Sequence, residues 1–129
     1  VTIRLLIIED DAILAHTLQT ILSPEGFKVE VASSGPEGIE AVRKFLPEVI
    51  LLDLMMPGMD GWQVCRAIRE FTQTPILIMS AVINPDRVAK ALDAGADDYL
   101  VKPSPTGVLA SRLMRLARFA RASGTGGAG

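Results

Sequence analysis

Polar groups suited to one reaction stand directly after four apolar runs of this chain. Glu9, Asp10 and Asp11 follow residues 3–8, and Asp53 follows residues 49–52. Ser80 follows residues 76–79, and Lys102 follows residues 99–101. Carboxylates, a hydroxyl and an ammonium are the groups that phosphoryl transfer to a carboxylate requires. Carboxylates brought to about 4 Å repel by roughly 4 kcal/mol per pair at an effective dielectric of about 20, so a cluster of them needs a cation. Hard oxygen donors in a small group suit Mg2+ (or Mn2+), which keeps several waters and shares its site with phosphate. Asp53 is then a nucleophile toward phosphorus. The metal and Lys102 neutralise charge developing on the phosphoryl oxygens.

Each residue alone has a plainer reading. Asp10 or Asp11 reads as a helix N-cap, Asp53 as a turn residue, Ser80 as a small residue near a helix start, and Lys102 as a solvated lysine. Joint placement at separate strand ends favours the chemistry, and it depends on the elements that carry these ends.

Residues 3–8 are apolar except for Arg4 and read as a strand buried on both faces. Asp11 caps a helix with Leu14, Leu18, Ile21 and Leu22 at helical spacing, ended by Pro24 and Gly26. Residues 27–31 alternate as a second strand. Ser33, Ser34, Gly35 and Pro36 open a second helix, with Ile39, Val42 and Leu46 on one face and Pro47 as its stop. Residues 49–52 form a third strand, 55–61 a loop rich in Pro and Gly, and 62–71 a third helix. Pro75 precedes a fourth strand, and Asn84, Pro85 and Asp86 start a fourth helix that ends near Gly95. A short fifth strand covers 99–101, and Pro103 and Pro105 lead into a last helix through Ala120. Residues 123–129 are Gly-rich and are expected to form a disordered tail or a truncated linker, leaving one domain over 1–122.

Strand and helix alternating five times define an α/β fold, a doubly wound five-stranded parallel sheet, (βα)5, with right-handed crossovers. Such sheets bind ligands outside the carboxyl ends of their strands, at the switch point. The strand order 2-1-3-4-5, flavodoxin-like, is taken from known folds of this class rather than derived from spacing. It makes strands one, three, four and five neighbours, so the ends bearing Glu9, Asp10, Asp53, Ser80 and Lys102 converge.

A length of 129 residues fits one domain, and 49% hydrophobic with 22% charged residues is ordinary for a globular chain with its own core. The single cysteine, Cys65, excludes an internal disulfide and suits a reducing, cytoplasmic setting. Apolar runs stay below the roughly 18–20 residues of a membrane span, and no signal-peptide pattern opens the chain. The first residue is Val, which suggests a processed or trimmed start. A net charge of -2 argues against direct nucleic-acid binding. Charge is uneven, however: no acid follows Asp98, while Arg112, Arg115, Arg118 and Arg121 recur every third residue as a drifting basic stripe.

With these features in place, the sequence resembles the receiver family of two-component response regulators, itself an example of the 2-1-3-4-5 order. Asp53-Leu-Met-Met-Pro-Gly-Met-Asp-Gly61 resembles that family's phosphorylation loop, and Ile7-Ile8-Glu9-Asp10-Asp11 its acidic pair. Ala94-Gly-Ala-Asp-Asp-Tyr-Leu-Val-Lys-Pro103 resembles its fifth-strand signature. The resemblance runs over about residues 2–121. It implies that Asp53 is the phosphoacceptor, and that Glu9, Asp10, Asp53 and the backbone carbonyl of Met55 bind Mg2+, Glu9 through a water. It implies that Ser80 and Lys102 bond the phosphoryl oxygens, that Tyr99 turns inward as Ser80 moves, and that the Lys102–Pro103 peptide is cis. A sensor histidine kinase or phosphotransfer protein would be the donor, with transcription regulation among the outputs. The surface of the fourth helix, fifth strand and fifth helix would answer to phosphorylation. Lys90, Asp97, Asp98, Arg112 and Arg115 resemble the charges of a homodimer face there, or are simply solvated.

Four positions depart from or qualify the pattern. Ser80 keeps the hydroxyl where Thr is also frequent. Ser104 stands where the family often has Phe, removing an apolar anchor before the last helix. Met55 and Val82, both apolar, stand at the positions whose side chains overhang an attacking water in the family, and the resemblance then implies slow self-dephosphorylation. Elsewhere, His16 reads as a surface or kinase-facing residue, Cys65 as core, and Trp62 as a neighbour of the phosphorylation loop. Other classes fit less well. Glu9, Asp10 and Asp11 would repel a flavin phosphate, no phosphate-binding Gly-Lys loop is present, and Met55 stands where an aspartyl phosphatase wants its second acid. A phosphorylation-independent interaction module is the alternative within the fold.

Overall fold

Apolar residues on both faces make β1 (Ile3–Ile8), β3 (Val49–Leu52) and β4 (Ile76–Ser80) the buried centre of a parallel sheet. β2 (Phe27–Ala32) and β5 (Asp98–Val101) are its edges, and the order is β2-β1-β3-β4-β5. The computed structural model describes residues 2–81 and 84–122. The expectations for Val82 and for the tail at 123–129 lie outside the described residues.

Successive strand side chains alternate between faces, and two apolar layers result. Leu6, Ile8, Ile50, Leu52, Ile76 and Ile78 point to one face. There they meet Val42 of α2 (Gly35–Phe45), Val64 and Ile68 of α3 (Gly61–Arg69) and Ala91 of α4 (Pro85–Asp93). Leu5, Ile7, Leu51, Leu77 and Met79 point to the other. They meet Leu18 and Leu22 of α1 (Ala12–Leu22) and Leu109, Leu113 and Ala117 of α5 (Thr106–Ala122). α5 therefore docks through its own leucines and alanines even with Ser104 in place of an aromatic anchor.

Local signals act as their chemistry dictates. Asp11 caps α1, its Oδ1 accepting from the N–H groups of Ile13 and Leu14 at 3.0 and 3.1 Å. α1 then tightens into a 3-10 turn at Ser23–Glu25, and Gly26 at φ 101° makes the reversal into β2. α2 ends one residue before Leu46, which adopts a left-handed φ of 51°. Pro47 disfavours the right-handed helical region for the residue before it. The Arg4 guanidinium holds the result, donating to the Leu46 carbonyl at 3.0 and 2.8 Å.

Several element boundaries differ from the sequence reading by one or two residues, as Leu46 does by leaving the face of α2. α3 stops at Arg69 rather than at residue 71, because the Arg69 side chain gathers the turn that follows. It donates to the carbonyls of Thr72, Thr74 and Gly95 at 3.3, 2.7 and 3.1 Å and to Asp97 at 2.8 Å. Asp97 also accepts from the Ile76 N–H at 2.8 Å, so Arg69 ties the entry of β4 to the entry of β5. α4 likewise stops at Asp93, and the chain reverses at Gly95 with φ 116°. Replacing Arg69→Met strips these carbonyls of their donor and leaves Asp97 without its cation. The expected cost is about 2 kcal/mol of unfolding free energy, read as a lower urea midpoint at unchanged slope; an unchanged midpoint contradicts the role.

Candidate functional site

Register brings the strand ends level. Ile8 pairs with Leu52, Leu52 with Ile78, and Ser80 with Val101. The residues just past these positions therefore share one edge of the sheet. The chain leaves β1 and β3 in step, with the Asp53 N–H on the Ile8 carbonyl at 3.1 Å and the Glu9 N–H on the Ala32 carbonyl at 3.0 Å.

Glu9 and Asp53 are nearly buried, at 3% and 8% exposure, while Asp10 is exposed. Each of these three offers a carboxylate oxygen, and the three oxygens lie within 4.8 Å of one another. Lys102 enters from the end of β5, with its Nζ 2.9 Å from Glu9 Oε1 and 3.6 Å from Asp53 Oδ1. The Asp11 N–H donates to the other Glu9 oxygen at 3.2 Å, and the Met55 N–H to Asp53 Oδ1 at 3.4 Å. Three hard oxygen donors, one open to solvent, fit a small divalent cation that retains waters.

Burial pushes both the Glu9 and Asp53 carboxyls up. The Lys102 ammonium opposes this at both residues, and each of the two backbone N–H donors opposes it at its own carboxyl. The Asp53 charge raises Glu9 further, as the Asp10 charge raises Asp53. Between the ordinary carboxyl values of 4.5 and 3.8 and the raised native ones, the folded chain binds more protons than the unfolded chain. Stability is thus fully present below this window and lost as pH rises through it. A divalent cation held by these oxygens would favour the deprotonated cluster and act in the opposite sense. Urea unfolding should show Mg2+ stabilising most near neutral pH and least at the acid end; an equal effect at both ends contradicts the assignment.

Ser80 is buried at the end of β4, and its hydroxyl bonds that of Tyr99 on β5. Tyr99 is half-buried against the α3–α4 layer, and burial raises the pKa of its hydroxyl. The switch pair named from sequence is thus in direct contact. The Lys102–Pro103 peptide bond is cis.

The candidate dimer-face charges are largely engaged within the chain. Asp97 is on Arg69, Asp98 on Arg112 at 3.3 Å, and the Lys90 Nζ lies 4.2 Å from the centroid of the Trp62 ring. Arg115 is exposed. Other members of the basic stripe are also occupied, Arg118 on the Met114 sulfur at 3.2 Å and Arg121 on Glu48. His16 is exposed, and Cys65 is fully buried with its thiol pushed up to about 12 by burial, which leaves it unreactive.

Sequence reasoning missed Arg87. Its guanidinium donates to the Met55 sulfur at 2.8 Å across the top of the site. No spacing signal announces a contact between residues 32 positions apart. The only hint is an arginine close behind the cap of the fourth helix.

A doubly wound sheet with carboxylates, a hydroxyl and an ammonium at its switch point is the architecture of a signalling domain rather than of a flavin or nucleotide binder. Comparison with known proteins gives the family. The response regulator receiver domain family matches residues 5–114. The transcriptional regulatory protein AfsQ1 of Streptomyces coelicolor is 41% identical over 114 residues, covering 88% of this chain and 51% of AfsQ1. The DNA-binding response regulator MtrA of Mycobacterium tuberculosis is 41% identical over 116 residues, covering 89% of this chain and 51% of MtrA. Among solved structures, the receiver domain of the response regulator NarL from Mycobacterium tuberculosis superposes with a TM-score of 0.86 at 32% identity. That match covers 91% of this chain and 97% of the NarL chain. The chain belongs to the response regulator receiver domain family of two-component signalling. It spans about half the length of the curated relatives it matches. Among the described residues, no helix is long and apolar enough to cross a membrane.

Proposed function

We propose that Asp53 accepts a phosphoryl group from the phosphohistidine of a sensor histidine kinase or phosphotransfer protein, or from a small acyl phosphate, in a Mg2+-dependent (or Mn2+-dependent) reaction. The observation that carries this reading is the buried Asp53 carboxylate, set 3.6 Å from the Lys102 ammonium and clustered with Glu9 and Asp10. An Asp53 oxygen attacks phosphorus in line. The new O–P bond forms as the P–N bond to imidazole, or the P–O bond to acetate, breaks. The leaving group departs with the electron pair, and a leaving imidazole takes up a proton. Lys102 bonds one phosphoryl oxygen, and Ser80 exchanges its Tyr99 partner for another. When bound by Glu9, Asp10, Asp53 and the Met55 carbonyl, a divalent cation supplies counter-charge to those oxygens.

The consequence is a shift between two populated states of the α4–β5–α5 face. Leu92, Val101 and Val108 leave 43%, 41% and 41% of their surface exposed, which supports a partner or a second copy docking on these elements. A dimer there would exchange the Asp98–Arg112 pair for cross-subunit ones. A cytoplasmic location, an output in transcription, and no membrane or nucleic-acid contact by this domain belong to the same proposal.

Apolar Met55 cannot orient water, so the aspartyl phosphate should be lost slowly; a half-life of seconds in Mg2+ contradicts this. The direct test is intact mass after incubation with acetyl phosphate and Mg2+. One phosphoryl group gained, and none when EDTA is present throughout, is expected. No adduct with acetyl phosphate, and no response to beryllofluoride, favours a phosphorylation-independent interaction module instead.

A further inference from the structure

Among the described residues, Arg87 is the one cation near this site that the phosphoacceptor reading does not use. It lies on the first turn of α4, and its guanidinium rests on the thioether of Met55 at 2.8 Å. A thioether is a weak acceptor, whereas a guanidinium pairs best with carboxylate or phosphate oxygens, often through two bonds at once. Among the described residues no carboxylate is paired with Arg87, although arginines 4, 69, 112 and 121 each have one. Its present partner is therefore one that a stronger acceptor displaces.

The position of that partner matters. Met55 is two residues past Asp53, and its N–H points to Asp53 Oδ1 at 3.4 Å. The charges of both Asp53 and Arg87 act on the Tyr99 hydroxyl, which is bonded to Ser80. Lys102, by contrast, is already divided between Glu9 and Asp53.

The geometry points to Arg87 as a second phosphoryl-binding cation, which rests on Met55 in the unmodified chain and moves onto a phosphoryl oxygen once Asp53 is phosphorylated. Phosphorylation replaces one negative charge at Asp53 by nearly two. A cluster balanced by Lys102 and a divalent cation then carries surplus negative charge, and Arg87 is the guanidinium at its rim. Because Arg87 is rooted in α4, its transfer draws the first turn of that helix toward the site. The phosphoryl group then acts on α4 directly as well as through Ser80 and Tyr99.

This inference rests on the phosphoacceptor reading, and the experiment separates the two. Beryllofluoride is titrated in Mg2+ against the wild-type chain, Arg87→Ala and Arg87→Lys, alongside Mg2+ alone. Arg87→Ala should bind beryllofluoride about tenfold more weakly. Arg87→Lys should recover part of the loss, the defect should shrink as salt is raised, and any loss for Mg2+ alone should be smaller. Equal beryllofluoride affinity in wild type and Arg87→Ala overturns the role of Arg87 while leaving Asp53 as acceptor. So does a loss matched by Mg2+ alone. A wild-type chain that takes neither beryllofluoride nor phosphoryl overturns the phosphoacceptor reading, and the role of Arg87 with it.

Discussion

Asp53→Asn should fold, take up no phosphoryl group, and in the absence of Mg2+ be more stable than the wild-type chain near neutral pH. The amide matches the carboxylate in shape but lacks the anionic oxygen that attacks phosphorus. The stability gain follows from the same charge. Burial and the Asp10 charge push the Asp53 carboxyl up, so ionising it in the folded chain is unfavourable relative to the unfolded one. Removing that charge relieves a cluster whose ligand oxygens lie within 4.8 Å, and Lys102 keeps its 2.9 Å bond to Glu9. Repulsion within the cluster and the lost 3.6 Å attraction to Lys102 oppose each other, leaving a net gain on the order of 1 kcal/mol. The gain should vanish at low pH, where the wild-type carboxyl is already protonated, and should reverse in Mg2+, where the variant has lost a ligand. Intact mass and urea unfolding at two pH values read both halves. An adduct on the variant, or a loss of stability at neutral pH without metal, contradicts the account.

Gly61→Ala should cost about 3 kcal/mol and slow phosphorylation of Asp53 as well. Gly61 opens α3, and its N–H closes the preceding loop on the Leu54 carbonyl at 2.8 Å. A methyl group at Gly61 would lie 2.7 Å from the Leu54 Cα and 3.1 Å from the Asp53 carbonyl oxygen. Both are main-chain atoms, and no rotamer change relieves the overlap. Either α3 backs away from the sheet, loosening Val64 and Ile68, or residues 53–54 shift and carry the nucleophile off line. Gly58, whose added methyl group would meet nothing within 4 Å, is a poorer control because of its φ of 82°; Gly107, equally open and at ordinary φ, is the right one. Gly107→Ala should be phosphorylated at the wild-type rate and be no less stable than wild type, with a gain of up to about 1 kcal/mol. Equal phosphorylation rates and urea midpoints for Gly61→Ala and wild type would show that the loop has room to spare.

Residues whose role depends on strand ends are legible in the amino-acid sequence itself. Asp53, Ser80 and Lys102 each follow an apolar run, and such a run in a parallel sheet ends at the ligand-binding edge whatever the side chains do later. The strand order cannot be read the same way, because a crossover leaves no periodic trace; it comes from known folds. Contacts that depend on where a long side chain turns are out of reach of pattern and spacing. Arg69 could equally be a solvated residue on α3; only the fold brings Gly95 and Asp97 to its guanidinium. Lys90 and Arg112, which read as face charges, find partners within the chain because Trp62 and Asp98 happen to lie a side chain away. Leu46 offers no sign of its left-handed turn beyond the proline after it, since the arginine that steadies it is 42 residues distant.

The bond from Lys102 to Glu9 spans 93 positions of chain. During synthesis the acidic pair is made among the first residues and the ammonium among the last of the sheet. No partial product, however well its early strands pair, holds the complete charge set. A chain released or cleaved ahead of β5 keeps Glu9, Asp10 and Asp53 but lacks the Lys102 ammonium beside Glu9 and Asp53, so on the proposed reading the finished sheet alone would carry both the acceptor and the lysine that receives its phosphoryl group.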